Sequence, residues 1–407
     1  MQLTYRHTRL GCFVGYITQA IINNLSPLLF LTFQQQFSVS LTQISLIITL
    51  NFAIQMAVDL LSARYIDKMG YRASIVAAHV LSVLGLGCLS LLPGILPGYP
   101  ALLIATTLCA VGGGLLEVLV SPLIEALPSD RKEQEMSLLH SFYCWGHVGV
   151  VLLSTVYFLA FGTQNWRSLP LLWALVPLAN TLLFLKAPIL TLTDEGRAMP
   201  LKKLLGMPVF YLLFILMICS GASEQAVSQW ASLFAEEGLQ VSKTVGDLLG
   251  PCAFAVLMGC SRLLFSRVRV RMEKALAAGA ALCICSYLLI VLSPWPILSL
   301  VGCAVCGFSV GVMWPGTFSL ASQRLPAGGT AMFALLALAG DIGCCSGPSL
   351  VGAVSDGALS QGKTLLSALL PGAPIAQTAL KTGFLAAILF PALLLCGVLI
   401  MAKKKKH

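Results

Sequence analysis

Twelve apolar runs, each long enough to cross a hydrocarbon core, follow one another along the 407 residues with only short charged or turn-forming segments between them. A core about 30 Å thick takes roughly 20 apolar residues per helix. Runs bounded by charge, Pro-Gly or Asn/Gln clusters predict spans at 9–35, 41–62, 73–93, 100–126, 138–162 and 168–188, then 207–234, 245–265, 274–293, 297–322, 329–356 and 377–402. The slightest separation is Ser293-Pro294-Trp295-Pro296, a single turn between spans nine and ten. Only 10% of the residues are charged and 57% are hydrophobic, where a soluble domain carries about 25% charge, so the charge cannot solvate a surface of this size. A soluble enzyme, a nucleic-acid binder and a disordered chain are thereby excluded, and an all-α, multi-pass membrane protein is expected.

The net charge of +9 is a matter of topology. With the N-terminus in the cytoplasm, 21 of the 25 Lys and Arg fall on inner segments or inner helix ends, leaving Arg167, Lys243, Lys363 and Lys381 outside. That bias is the positive-inside pattern, so both termini are expected in the cytoplasm and the chain in the plasma (inner) membrane. Lys403–Lys406 are placed to touch anionic lipid. The first apolar run is too long for a cleavable signal peptide and lacks a small-residue cleavage site. All fourteen cysteines lie in or at the ends of spans. Cys303-x-x-Cys306 has no His or acidic partner nearby, so the cysteines read as small apolar filler, with no metal or cofactor expected.

The longest inner connection, 189–206, separates two six-span halves, 1–188 and 207–407. The halves echo one another: Cys109-Ala110-Val111 recurs as Cys303-Ala304-Val305, and Gly146-His147-Val148-Gly149 as Gly340-Asp341-Ile342-Gly343, both at an offset of 194. Six-plus-six parallel repeats with a central inner loop resemble the major facilitator architecture. The loop after span two, Ala63-Arg64-Tyr65-Ile66-Asp67-Lys68-Met69-Gly70-Tyr71-Arg72, resembles that superfamily's G-x3-D-R-x-G-R-R loop, with Ala63, Lys68 and Tyr71 as substitutions. There Asp67 can cap or pair at a helix end, Gly70 permits the turn and Arg72 anchors the inner face. The corresponding loop after span eight keeps only basic residues, beginning with Arg262.

An ionisable side chain in mid-membrane costs several kcal/mol on insertion scales, which makes each one a functional candidate. Glu117, His147, Glu224 and Asp341 lie near span centres and His140 less centrally, with no basic residue close enough along the sequence to serve as counter-ion. An acid that gains and loses a proton there is what proton coupling requires, and Glu117, Glu224 and Asp341 are the candidates for it.

In a major facilitator protein, spans one, four, seven and ten line a central cavity. Here they offer Asn23 and Asn24, Glu117 and Ser121, Glu224, Gln225 and Ser228, and Trp314, to which span two adds Asn51 and Gln55 and span five His140. Amides, a carboxylate and an indole suit a neutral polyhydroxylated ligand, the polar groups taking its hydroxyls and the ring its C–H face. The same groups could instead be interhelical hydrogen bonds.

Gly112-Gly113-Gly114-Leu115-Leu116-Glu117 with Ser121-Pro122 resembles the G-G-x-x-x-E-x3-N-P signature of the fucose–proton symporter family, and His140-Ser141-Phe142 with Gly146 resembles its next span. Glu224 with Trp230, then Gly259 and Arg262, is similar to its seventh and eighth spans. The resemblance implies a sugar substrate, proton coupling, and a functional role for Glu117. The chain departs from that family in having Asn23-Asn24 for its Asn-Asp pair and Ser121 for an Asn. A coupling acid is therefore missing from span one, and Glu224 or Asp341 could replace it.

Gly357-Ala358-Leu359-Ser360-Gln361-Gly362-Lys363-Thr364 matches a Walker A pattern letter for letter, but it follows a membrane span in an outer loop, where no strand or nucleotide domain supports it. No ATP, nucleic acid or enzymatic activity is expected. The reading is a monomeric secondary carrier that moves a small polar solute, a sugar by resemblance, together with protons, by alternating access. The alternatives left open are an exporter of amphiphilic cations on the same fold, an uncoupled uniporter, and a receptor that binds without flux.

Overall fold

A computed structural model of the chain describes residues 3–128, 132–190, 201–267, 271–325, 329–362, 365–367 and 369–403. Among these residues all regular structure is helical, as a bilayer demands of an open chain: without water, each backbone N–H and C=O must find its partner within the segment. Twelve helices are long and apolar enough to span a membrane. They are Tyr5–Phe37, Leu41–Leu61, Tyr71–Gly94, Gly98–Ile124, Leu138–Phe161 and Ser168–Lys186, followed by Pro208–Gly238, Lys243–Phe265, Met272–Leu292, Pro296–Ala321, Leu335–Gln361 and Ile375–Lys403. Each overlaps an expected run, and they are numbered here as spans one to twelve.

The short separation between spans nine and ten holds for a local reason. Ser293 takes the Trp295 N–H on its hydroxyl at 3.2 Å, and Pro296 opens the next helix, where a missing N–H costs nothing. Lys243 and Lys381, two of the four basic residues expected on the outer side, belong to helices eight and twelve. Lys381 is fully buried and donates to the carbonyl of Ser293, at the end of span nine.

Several spans are not continuous α-helix. Pro27 turns span one into a 3₁₀ segment at Ser26–Leu29, directly after Asn23 and Asn24. Span seven ends in a π-helical turn, Phe234–Gly238, and span eight contains another, Leu248–Cys252, around Pro251.

The chain forms two compact units, one of Met1–Val39 with Leu50–Asp194 and the other of Ser40–Thr49 with Glu195–His407. In the first, span three packs on four and six, and span one packs on four, five and six. In the second, span nine packs on ten and twelve, and span seven on ten, eleven and twelve. Each pairing recurs six spans later, so the 194-residue echo in the sequence has a counterpart in packing. The segment Ser40–Thr49 joins the second unit, where Thr42 donates to Asp356 at 2.6 Å.

At the beginning of span three, Arg72 closes the far end of span six. Its guanidinium donates to the carbonyls of Phe184, Leu185 and Ala187 at 2.8, 3.0 and 2.8 Å, three acceptors that the end of a helix leaves open. The second unit does the same job with a different residue: Arg324 at the end of span ten bonds the Met401 carbonyl of span twelve at 3.0 Å and Glu273 at 3.2 Å. Gly70, φ 81°, supplies the left-handed turn before Arg72. The side chains of Ala63, Asp67 and Lys68 lie outside the described residues, as do residues 191–200 of the expected linker.

Replacing Arg72 by Ala strands three helix-terminal carbonyls and is expected to cost about 2 kcal/mol, seen as a lower thermal unfolding midpoint of the purified protein in detergent. Arg72→Lys recovers only part of this, because a point charge cannot reproduce a planar fork.

Candidate functional site

Part of the buried polar side chains forms a row in each unit. In the first unit the row runs along span one with near-helical spacing, from Tyr16 through Gln19 to Asn23 and Asn24. Gln19 Nε2 donates to Glu117 Oε2 of span four at 2.7 Å. Three residues earlier on span one, the Tyr16 hydroxyl meets Ser121 Oγ at 3.1 Å. Four residues after Gln19, Asn23 Oδ1 accepts from Asn51 Nδ2 at 3.1 Å and from Gln55 Nε2 at 3.0 Å. Asn24 donates to the Ala20 carbonyl at 2.9 Å and lies 3.4 Å from the Tyr143 hydroxyl. His140 is exposed, its ring 5.2 Å from that of Tyr16.

Seven of the expected residues are thus brought together: Asn23, Asn24, Asn51, Gln55, Glu117, Ser121 and His140. The structure adds Tyr16, Gln19 and Tyr143, which sequence reasoning passed over. Gln19 could have been found from its position, since residues 16, 19 and 23 share one face of a helix whose next turn carries the singled-out asparagines.

The row of the second unit begins with an ion pair. Arg262 Nη2 of span eight lies 3.6 Å from Glu224 Oε2, with side-chain exposures of 23% and 9%. The expectation that no basic group reaches the intramembrane acids is therefore corrected for Glu224: Arg262 was assigned to the inner loop, but its long side chain carries the charge back along the span. From Glu224 the row continues: Gln225 Nε2 donates to Glu224 Oε1 at 3.3 Å, and Gln229 Nε2 donates to Gln225 Oε1 at 2.9 Å. Ser228 is buried one helical turn from Glu224. Tyr287 of span nine donates to the Ser223 carbonyl at 2.9 Å, and Trp230 turns away to the Pro348 carbonyl at 3.0 Å.

Trp314 packs against span eleven at a glycine. A Cβ at Gly340 would stand 2.0 Å from Trp314 Cη2, so only glycine admits the indole there. Three residues on, a Cβ at Gly343 would stand 2.1 Å from the Ile218 carbonyl oxygen, which ties span eleven closely to span seven. Asp341 and His147 are both buried. His147 joins none of the hydrogen bonds of the first row.

Each row is rich in groups that both donate and accept, and each includes one carboxylate. In the first unit the described partner of that carboxylate is a neutral amide; in the second it is a guanidinium. Such rows can exchange hydrogen bonds with hydroxyls without a net change in charge.

The family model of the Major Facilitator Superfamily matches residues 10–348. The chain belongs to the Major Facilitator Superfamily. Among solved structures it is similar to a bacterial homologue of the human lysosomal transporter Spinster, inward-facing and occupied, with a TM-score of 0.74 and 12% identity over 99% of this chain and 98% of that one. It is similar to the E. coli fucose:proton symporter FucP, with a TM-score of 0.62 and 18% identity over 94% of this chain and 97% of that one. It also resembles the nucleoside transporter NupG, with a TM-score of 0.70 and 11% identity over 97% and 98% of the two chains. No match is found among curated proteins. At such identities the likeness is one of fold: this chain is a multi-pass transporter of the superfamily.

Breaking the Glu224–Arg262 pair leaves a buried charge alone, which costs about 3 kcal/mol. Arg262→Ala is therefore expected to lower the unfolding midpoint more than the double change Arg262→Ala with Glu224→Gln. A double-mutant cycle on thermal unfolding in detergent reads the difference.

Proposed function

We propose that the chain is a secondary carrier for a small neutral polyhydroxylated solute, a sugar being the best match, and that Glu117 carries the coupled proton. The observation that supports this most directly is the 2.7 Å hydrogen bond from Gln19 to Glu117, within a row made otherwise of amides and hydroxyls. As a carboxylate, Glu117 only accepts hydrogen bonds; once protonated it gains a donor. One proton therefore changes what the first row can offer a hydroxyl, while Gln19 holds the side chain in place in either form.

Asn23, Asn24, Asn51, Gln55, Ser121 and His140 are the candidates to take a solute's hydroxyls in the first unit, and Glu224, Gln225, Ser228 and Trp314 are the candidates in the second. Glu224 already has Arg262 beside it, which fits a role in binding or positioning better than one as the main coupling acid. The same pairing weighs against an exporter of amphiphilic cations, since it neutralises one of the three acids such a carrier would use. The fucose:proton symporter among the structural relatives supports the sugar reading by analogy of fold. Both termini are placed in the cytoplasm on the strength of the distribution of Lys and Arg, with the chain in the plasma membrane as a monomer.

Uptake of a panel of radiolabelled sugars into proteoliposomes tests the proposal. One sugar is expected to accumulate against its gradient when protons are driven inward. Glu117→Gln keeps the shape and removes the ionisation, so accumulation is expected to fall to the level of empty liposomes while exchange of labelled for unlabelled sugar persists. Accumulation that survives this change would exclude Glu117 as the coupling acid, and no flux of any sugar would exclude the substrate class.

A further inference from the structure

A second polar cleft in the first unit lies apart from both polar rows. Where span three ends and span six begins, a cleft of about 440 Å³ opens among Ser90, Leu91, Gln164, Arg167, Ser168 and Leu171. It is at the opposite end of span six from the carbonyls that Arg72 holds. No carboxylate lines it. The charge in it belongs to Arg167, whose partners are both uncharged: the Pro93 carbonyl at 3.4 Å and the face of the Trp166 ring, 6.0 Å from its centroid. A guanidinium so placed has donors left for an anion, and its planar fork suits phosphate oxygens in particular.

Below the cleft the surface is apolar in an ordered way. On span six Leu171, Leu175, Leu178 and Leu182 are 41–62% exposed, at helical spacings of four, three and four. On span three Val80, Leu84, residue 87 and Leu91 repeat the same spacing, and residue 87 is glycine. A side chain at Gly87 would meet no heavy atom within 4 Å, so this stripe has a gap one turn below Leu91. Spans three and six pack against each other, and both stripes lead up to the cleft through Leu91 and Leu171. Tyr157 beside it, whose hydroxyl meets Ser168 Oγ, is of a residue type that marks the boundary between hydrocarbon and headgroups.

We propose that this cleft binds an anionic glycerophospholipid, its phosphodiester on Arg167 and Gln164 and an acyl chain lying over Gly87 between the leucine stripes. Charge complementarity selects the headgroup: one guanidinium with no carboxylate neighbour matches one phosphodiester, and the stripes give the chain a path a free anion would not use. The site does not depend on which solute the carrier moves.

The test is a titration of the purified full-length protein in detergent, following its thermal unfolding midpoint. Dioctanoyl phosphatidylglycerol, dioctanoylglycerol and inorganic phosphate are compared at equal concentrations. Phosphatidylglycerol is expected to raise the midpoint saturably and the other two to leave it unchanged. Arg167→Gln is expected to raise the half-saturating lipid concentration roughly tenfold or more, the loss of a charge-assisted hydrogen bond. Gly87→Leu, which fills open space, is expected to weaken lipid binding with Arg167 untouched, and it decides the matter alone if Arg167→Gln does not fold. An equal rise with inorganic phosphate would mark a free-anion site and overturn the proposal. An equal rise with dioctanoylglycerol, or unchanged lipid titrations in the variants, would overturn it as well.

Discussion

A polar group that enters a bilayer has no water to fall back on, so it must find its hydrogen-bond partner inside the protein. Most of what is distinctive here follows from meeting that demand. The backbone meets it by forming helices, and where helices end Arg72 and Arg324 supply the donors that solvent would otherwise provide. Side chains meet it in short chains of contacts: Gln19 to Glu117, Asn51 and Gln55 to Asn23, Arg262 to Glu224, and Lys381 to the last carbonyl turn of span nine. No polar row in either unit rests on one span alone. A carrier can keep a wet, hydrogen-bonding surface within the membrane only if each group that meets the solute also has a neighbour to hold it when the solute is gone.

The two units solve that problem on one packing scheme with different chemistry. Spans one and seven pack on three helices that correspond at an offset of six, yet Glu117 of span four is held by an amide and Glu224 of span seven by a guanidinium. An amide holds a carboxyl in either protonation state, while a guanidinium favours the ionised one, since only then is the pair neutral. Duplication of the packing therefore does not require duplication of the role. The cap on the end of the sixth helix of each unit makes the same point: Arg72 comes from the start of span three, Arg324 from the end of span ten.

The spans were legible in the sequence because their signal is long and additive: twenty apolar residues outweigh any single exception. Glu117 and Glu224 stood out for the opposite reason, since one charge in such a run is expensive enough to be noticed alone. Gln19 did not stand out, because an amide in a membrane helix costs little, and its meaning depends on a partner 98 residues away. Arg262 was visible but misplaced. Reading charge by the position of the Cα assigns it to the inner end of span eight, whereas the guanidinium acts a side chain's length away, beside Glu224. The glycine at 340 was noticed as part of a repeat; that it makes room for Trp314 needed the third dimension.

The irregular helices lie close to these polar rows. The 3₁₀ segment Ser26–Leu29 follows Asn23 and Asn24 immediately, and the π-turn Phe234–Gly238 begins five residues after Gln229. Wider and tighter turns leave backbone groups less well paired than regular α-helix does, and in a membrane such segments are tolerated where protein or a polar cavity surrounds them. A span that must bend about a buried polar row is better served by an interruption beside the row than by one within it, because the side chains keep their helical register while the helix beyond them is free to change direction. Span one fits that description: Tyr16, Gln19 and Asn23 stay on regular helix, and the break comes only after the hydrogen bonds from Asn51 and Gln55 of span two.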